Sequence, residues 1–265
     1  MKIGVFDSGV GGLTVLRALM ERIPGADYLY LGDTARLPYG AKSRATVARY
    51  ATSSARFLVA QGAEFLVIAC NTASALALDA IRDSVPVPVL GVVETGANAA
   101  DVSSSSRDVL VIATAATVES HAYTAACGGR SLRTLEKACP LLVPLVEEGW
   151  IDHPVTREVL GIYVSELMEQ ARTAELHPDT LVLGCTHYPL LRGQIESLVP
   201  ESLRVIDSAE VTAEQVATAI GHPQADAATP SVRFFATDSV ARFRVLGSRF
   251  LGRPIDQVEL VDLGG

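Results

Sequence analysis

Runs of like charge, closely spaced cysteines and long apolar stretches are all missing from this 265-residue sequence, and each absence removes a class of function. No five consecutive like charges occur and the net charge is −8, which disfavours nucleic acid as a partner. The four cysteines, Cys70, Cys127, Cys139 and Cys185, stand far apart without a CxxC pair. That spacing argues against a disulfide scaffold or a structural zinc site, and for a reducing cytoplasm. The most apolar stretches, Glu64 to Ala69 and Leu141 to Val146, are far shorter than the roughly 20 residues that span a bilayer, so no membrane partner is expected. The opening MKIGVFDSGVGG reads as a short strand entering a glycine turn, without the apolar core of a signal peptide. A cytoplasmic location follows as the expectation.

What is present is a regular alternation. With 49% hydrophobic residues the chain can bury a sizeable core, as one large α/β domain or two smaller ones. Short β-branched runs at Ile3 to Phe6, Tyr28 to Leu31, Phe65 to Ala69, Val87 to Val92, Val109 to Ala113, Thr180 to Gly184, Arg204 to Ile206 and Val232 to Ala236 read as strands. Helical patterns fall at Leu13 to Arg22, Arg44 to Gln61, Ala73 to Ser84, Val155 to Ala174, Leu190 to Leu198 and Val211 to Ala219. Strands alternating with helices predict an α/β fold with mainly parallel sheets.

Three strand-plus-turn signatures recur in order: VFDSGVGG, VIACNTAS and LGVVETGA, then VIATAATV, LVLGCTHY and RVIDSAEV. The spacing from Asp7 to Cys70 is 63 positions and from Thr114 to Cys185 it is 71. This repeat predicts two similar domains related by a pseudo-twofold axis, 1–97 with 207–265 and 98–206, with the active site in the cleft between them.

Cys70 and Cys185 each follow an apolar strand, at the end where a parallel sheet binds ligands, and each precedes small polar residues: Asn71 and Thr72, or Thr186 and His187. Equivalent positions in two matching domains would set the thiols across a cleft, an arrangement suited to stereoinversion, which needs a base on one face of a carbon and an acid on the other. Thiols can serve as both once a nearby cation or helix N-terminus makes the thiolate accessible. The plainer reading, two small buried core residues, weakens when both cysteines occupy matching positions.

Taken together, DSGVGGLTVLR at 7–17, LGDTARLPYG at 31–40, ACNTAS at 69–74, ACPLLVPLVEEG at 138–149 and GCTHYPLL at 184–191 resemble the glutamate racemase family of the aspartate/glutamate racemase superfamily. The resemblance implies a cofactor-independent, metal-free isomerase that interconverts L- and D-glutamate and supplies D-glutamate for peptidoglycan and cell-wall biogenesis. It implies that Cys70 deprotonates D-glutamate and Cys185 deprotonates L-glutamate, assisted by Asp7, Glu147 and His187. Asp7, Ser8, Tyr39, Gly40, Asn71, Thr72, Thr114, Thr117, Thr186 and His187 become the expected substrate contacts, and a homodimer the expected assembly. The sequence departs from the family at Ala113 and Ala116, where glycine is usual.

Structural readings compete at several of these positions. Asp7 with its glycines also suits a helix cap and tight turn, Glu147 beside Glu148 a solvated acidic turn, and Tyr39 with Gly40 an ordinary turn after Pro38. A dinucleotide is not supported, because Thr14 breaks GxGxxG. A pyridoxal-phosphate enzyme needs a lysine, and Lys2, Lys42 and Lys137 sit in no convincing motif. Cys127 and Cys139 read as bystanders. An aspartate or hydantoin racemase, a Cys185–His187 amidohydrolase and a solute-binding module remain as alternatives.

Overall fold

The computed structural model describes residues 1–221 and 230–264; the part of the first expected domain at 222–229 lies outside them. Strands run at β1 (Lys2–Asp7), β2 (Asp27–Gly32), β3 (Phe65–Ile68), β4 (Val89–Gly91), β5 (Asp108–Ala113), β6 (Arg133–Ala138), β7 (Thr180–Gly184), β8 (Arg204–Asp207), β9 (Val232–Ala236) and β10 (Glu259–Leu260). The helices are α1 (Leu13–Arg22), α2 (Arg44–Ala60), α3 (Asn71–Ser84), α4 (Val92–Ser103), α5 (Ala115–Glu119), α6 (Ala122–Gly128), α7 (Leu142–Glu147), α8 (Pro154–Thr173), α9 (Arg192–Glu196), α10 (Ser208–Ile220) and α11 (Val240–Leu251).

Two compact units result, one formed by Met1–Val92 with Ala209–Gly265 and one by Val93–Ser208. The divisions fall a few residues from 97/98 and 206/207. Helix α4 accounts for the first difference: a Cβ on Gly96 would meet the Tyr123 ring of the second unit at 3.1 Å.

Each unit holds one parallel sheet. The first has the order β10-β9-β2-β1-β3-β4 and the second β6-β5-β7-β8. Laid side by side, β2-β1-β3-β4 and β6-β5-β7-β8 have the same order, so the sequence repeat is a repeat of topology, with β9 and β10 added at one edge of the first sheet. All pairings are parallel, and β1, β3, β5 and β7 are short apolar runs buried on both faces. In the first unit the period of two sends Phe6, Leu66 and Ile68 toward Val47, Ala51 and Leu58 of α2 and Ala77 and Ile81 of α3. Tyr28 and Tyr30 face the other way: the Tyr28 hydroxyl donates to the Leu19 carbonyl of α1, and Tyr30 packs on Phe243 of α11.

Two sequence readings need correction. The stretch Val87 to Val92 is a strand only at Val89–Gly91, because the helix α4 begins directly at Val92. The helix expected from Leu190 to Leu198 is a 3-10 turn at Tyr188–Leu191 followed by Arg192–Glu196, with Pro189 setting the tight first turn.

Candidate active site

In the first unit the ends of β1 and β3 are neighbours. Phe6 is registered with Ile68, and the Ala69 amide donates to the Phe6 carbonyl at 2.9 Å. This register delivers Asp7 and Ser8 from one strand and Cys70 from the other. Cys70 is the N-cap of α3: its sulfur accepts from the Ala73 amide at 3.4 Å and lies 3.5 Å from the Ser8 hydroxyl. Asn71 and Thr72 form the first turn of that helix and are buried. The Asp7 carboxylate accepts from the Gly9 amide at 2.8 Å, and the Gly9 carbonyl accepts from the buried Tyr30 hydroxyl at 3.0 Å. Gly12 lets α1 start against this corner, since a Cβ there would stand 2.6 Å from the Asp7 Cβ and 2.9 Å from the Ala69 Cβ.

Electrostatically this half keeps its thiol protonated. Burial pushes the Cys70 thiol up to about 12, and the Asp7 charge adds to the rise against the hydrogen bonds from Ser8 and Ala73.

Tyr39 and Gly40 lie in a 3-10 turn at Tyr39–Ala41. The Tyr39 hydroxyl donates to the wholly buried Asp33, which also accepts from Arg36 Nε at 2.7 Å and from Thr237 Oγ1 at 2.9 Å. The phenol thus ties down its own loop, leaving the half-buried Gly40 as the more open part of the pair.

The second unit repeats the plan at β5 and β7, with different electrostatics. Ala113 is registered with Gly184, so Thr114 and Cys185 emerge side by side. Thr114 heads α5, and its hydroxyl lies 2.9 Å from that of Thr117. His187 Nδ1 stands 4.0 Å from Cys185 Sγ and 3.4 Å from the Thr186 hydroxyl, while its Nε2 is 3.2 Å from Glu147 Oε1. Burial alone would lower the affinity of the His187 ring for its proton; hydrogen bonds to Cys185 and Glu147 outweigh it and hold the imidazolium up to about 10. Glu147, the last residue of α7, is a carboxylate turned onto a histidine.

The structure therefore gathers Asp7, Ser8, Cys70, Asn71 and Thr72 in one unit, and Thr114, Thr117, Cys185, Thr186, His187 and Glu147 in the other. Each group ends equivalent strands. One has an anion beside the sulfur and the other a cation. Among the described residues no group of three or more histidine, cysteine or acidic side chains is placed to hold a metal ion, and no helix is long and apolar enough to cross a membrane.

Residues 7–216 match the family model described as Asp/Glu/Hydantoin racemase. A glutamate racemase of Koribacter versatilis is 54% identical, over 99% of this chain and 98% of its own. The chain belongs to the glutamate racemase family. Two solved structures extend the likeness to the fold: glutamate racemase from Francisella tularensis in complex with D-glutamate, 33% identical with a TM-score of 0.88, and glutamate racemase from Thermus thermophilus in complex with beta-chloro-D-alanine, 43% identical with a TM-score of 0.87. Each covers 99% of this chain and 97% of its own.

Sequence reasoning about this racemase gave no role to Asp33, Tyr30 or Tyr188. Asp33 stands inside LGDTARLPYG and Tyr188 inside GCTHYPLL, so the motifs contained them. Their roles depend on partners in other elements: Thr237 for Asp33, Gly9 for Tyr30 and Cys139 for Tyr188.

Proposed function

We propose that this racemase interconverts L- and D-glutamate without a cofactor, passing the α-proton between two thiols, Cys70 and Cys185. The observation that carries the reading is the repeat itself: two cysteines at the ends of equivalent parallel strands, each with small polar side chains beside it. Inversion at carbon needs a base on one face and an acid on the other, and two separately tuned thiols meet that need.

The electrostatic asymmetry supports different resting roles for the two thiols. His187, whose charged form is favoured by its hydrogen bonds to Cys185 and Glu147, puts a cation beside the Cys185 sulfur. Burial and Asp7 keep the proton on Cys70. L-glutamate then loses its α-proton to the Cys185 thiolate while the Cys70 thiol delivers a proton to the opposite face, giving D-glutamate, a Cys70 thiolate and a Cys185 thiol. The reverse reaction starts from that second form. Exchange with solvent returns the enzyme to rest, driven by the repulsion between Asp7 and the Cys70 thiolate. Ser8, Asn71, Thr72, Thr114, Thr117, Thr186 and the backbone at Gly40 are the proposed partners of the substrate's two carboxylates and ammonium.

The relatives, glutamate racemases, and the D-glutamate of the Francisella complex support glutamate over aspartate or a hydantoin. Circular dichroism with L-glutamate, L-aspartate and a 5-substituted hydantoin tests the choice: ellipticity decays for glutamate, with the others slower by about a hundredfold or more. Equal decay for aspartate would remove the assignment. The bacterial relatives also support a role in supplying D-glutamate to peptidoglycan, which growth of a D-glutamate auxotroph carrying this chain would test.

A further inference from the structure

In the second unit the ends of β6 and β7 are not neighbours. β5 lies between them, with Ala113 registered against both Ala138 and Gly184. The strand ends are two spacings apart, about 9.6 Å, and the segments that follow, one leading through Cys139 to α7 and Glu147 and the other carrying Cys185 and His187, come together beyond the sheet. No ladder hydrogen bond joins β6 to β7, because β5 separates them. Side-chain links between these segments include His187 to Glu147 and the Tyr188 hydroxyl, which donates to the Cys139 carbonyl at 3.0 Å. Tyr188 is fully buried, and this is its hydroxyl's hydrogen bond among the described residues.

Helix α7 has six residues, marginal as an isolated helix, and is held by its buried Leu142 and Val146 and by hydrogen bonds at its ends. Its entry is tied by Tyr188 at Cys139 and by the Tyr163 hydroxyl, which accepts from the Leu141 amide at 3.4 Å. Its exit is tied where Thr156 donates to the Trp150 carbonyl at 2.6 Å. Of the two ties at its entry, the one from Tyr188 originates in the segment that carries His187; beyond its exit, Gln194 of the same segment donates to the Ile151 carbonyl.

We infer that Tyr188 is a positioning residue for the proposed acid–base group: by gripping the Cys139 carbonyl, its hydroxyl sets the spacing at which Glu147 meets His187. The inference rests on the racemase reading for its consequence in catalysis, and Tyr188 acts through His187, not on substrate. The titratable groups that set the His187 charge are Cys185 and Glu147, so loosening α7 withdraws one of its two supports.

Tyr188→Phe keeps the buried ring and removes the grip. In the full-length protein kcat falls about tenfold with KM within about twofold, the pattern of a lost transition-state contribution. The titration midpoint of the His187 ring, followed by nuclear magnetic resonance, moves down from the wild-type value toward that of Glu147→Gln. The double variant Y188F/E147Q is no slower than the slower single variant, because both act on one pair. If Tyr188→Phe does not fold, Tyr163→Phe, at the half-buried tie, moves both readouts in the same direction by a smaller amount. Wild-type kcat with an unmoved His187 midpoint in the folded variants, or additive losses in the double variant, overturns the inference. A wild-type protein that fails to racemise glutamate would instead sink the functional reading, while the His187 titration still reports whether Tyr188 holds Glu147 in place.

Discussion

At the scale of single residues, the two thiols are separated in chemistry by their neighbours. Cys70 has a carboxylate beside it, and Cys185 has an imidazole whose charged form is favoured by hydrogen bonds to that sulfur and to a second carboxylate. Replacing Asp7 by Asn removes the Coulombic part of the Cys70 shift and leaves the burial part, so the thiol ionises at lower pH than in wild type. The pH dependence of iodoacetamide alkylation, with Cys70 identified by peptide mass analysis, checks this: the alkaline rise moves to lower pH in Asp7→Asn, and an unmoved or higher midpoint contradicts it. The histidine gives the opposite kind of window. Its folded value, about 10, lies above its ordinary 6.5, so the stability contributed by the charged ring is complete below about pH 6.5 and is lost as pH rises through 10. Urea midpoints across that range should fall more in wild type than in His187→Asn, and parallel curves would contradict the ion pair. Spacing and motif made Cys70, Cys185, Asp7 and His187 legible in the sequence. The pairing of Tyr39 with Asp33 was not legible, because a hydroxyl's partner is fixed by a loop closing in space and leaves no period to read.

At the scale of elements, the corners that present the thiols are built by close approach. Gly12→Ala would press a Cβ into Asp7 and Ala69 at distances real side chains do not occupy, and neither neighbour is a flexible tip. Overpacking of this kind costs about 1–3 kcal/mol, so a lowered melting midpoint together with reduced turnover is expected, and unchanged values of both would contradict the packing account. The cap on α3 gives a gentler contrast. Cys70→Ser keeps an acceptor for the Ala73 amide, whereas Cys70→Ala loses it at a cost of about 0.5–2 kcal/mol. Both variants should be inactive, with Ser the more stable in denaturant. Among the elements that sequence reasoning found, the strongest patterns are those of the buried strands β1, β3, β5 and β7 and the long helices α2 and α8. Strand β6, RTLEKA, was missed because it is an edge strand carrying three charges, and α5, α6 and α7 because five to seven residues span too few turns to show a helical period.

At the scale of the whole molecule, one topology used twice places the same chemical group at the same point of two sheets. The repeat was readable from three short signatures, since strand ends and their turns stay in order even where the connecting helices differ. The two strands that extend the first sheet, β9 and β10, lie in the returning segment, and among the described residues they have no counterpart in the second sheet. The central claim, that both thiols trade the α-proton with solvent protons, is tested most directly by turning over each enantiomer of glutamate in deuterated water. Product should carry deuterium at the α-carbon from the first turnovers while unreacted substrate keeps its protium, with no added cofactor, and neither Cys70→Ser nor Cys185→Ser should racemise. Product that retains its α-protium throughout turnover would contradict the account.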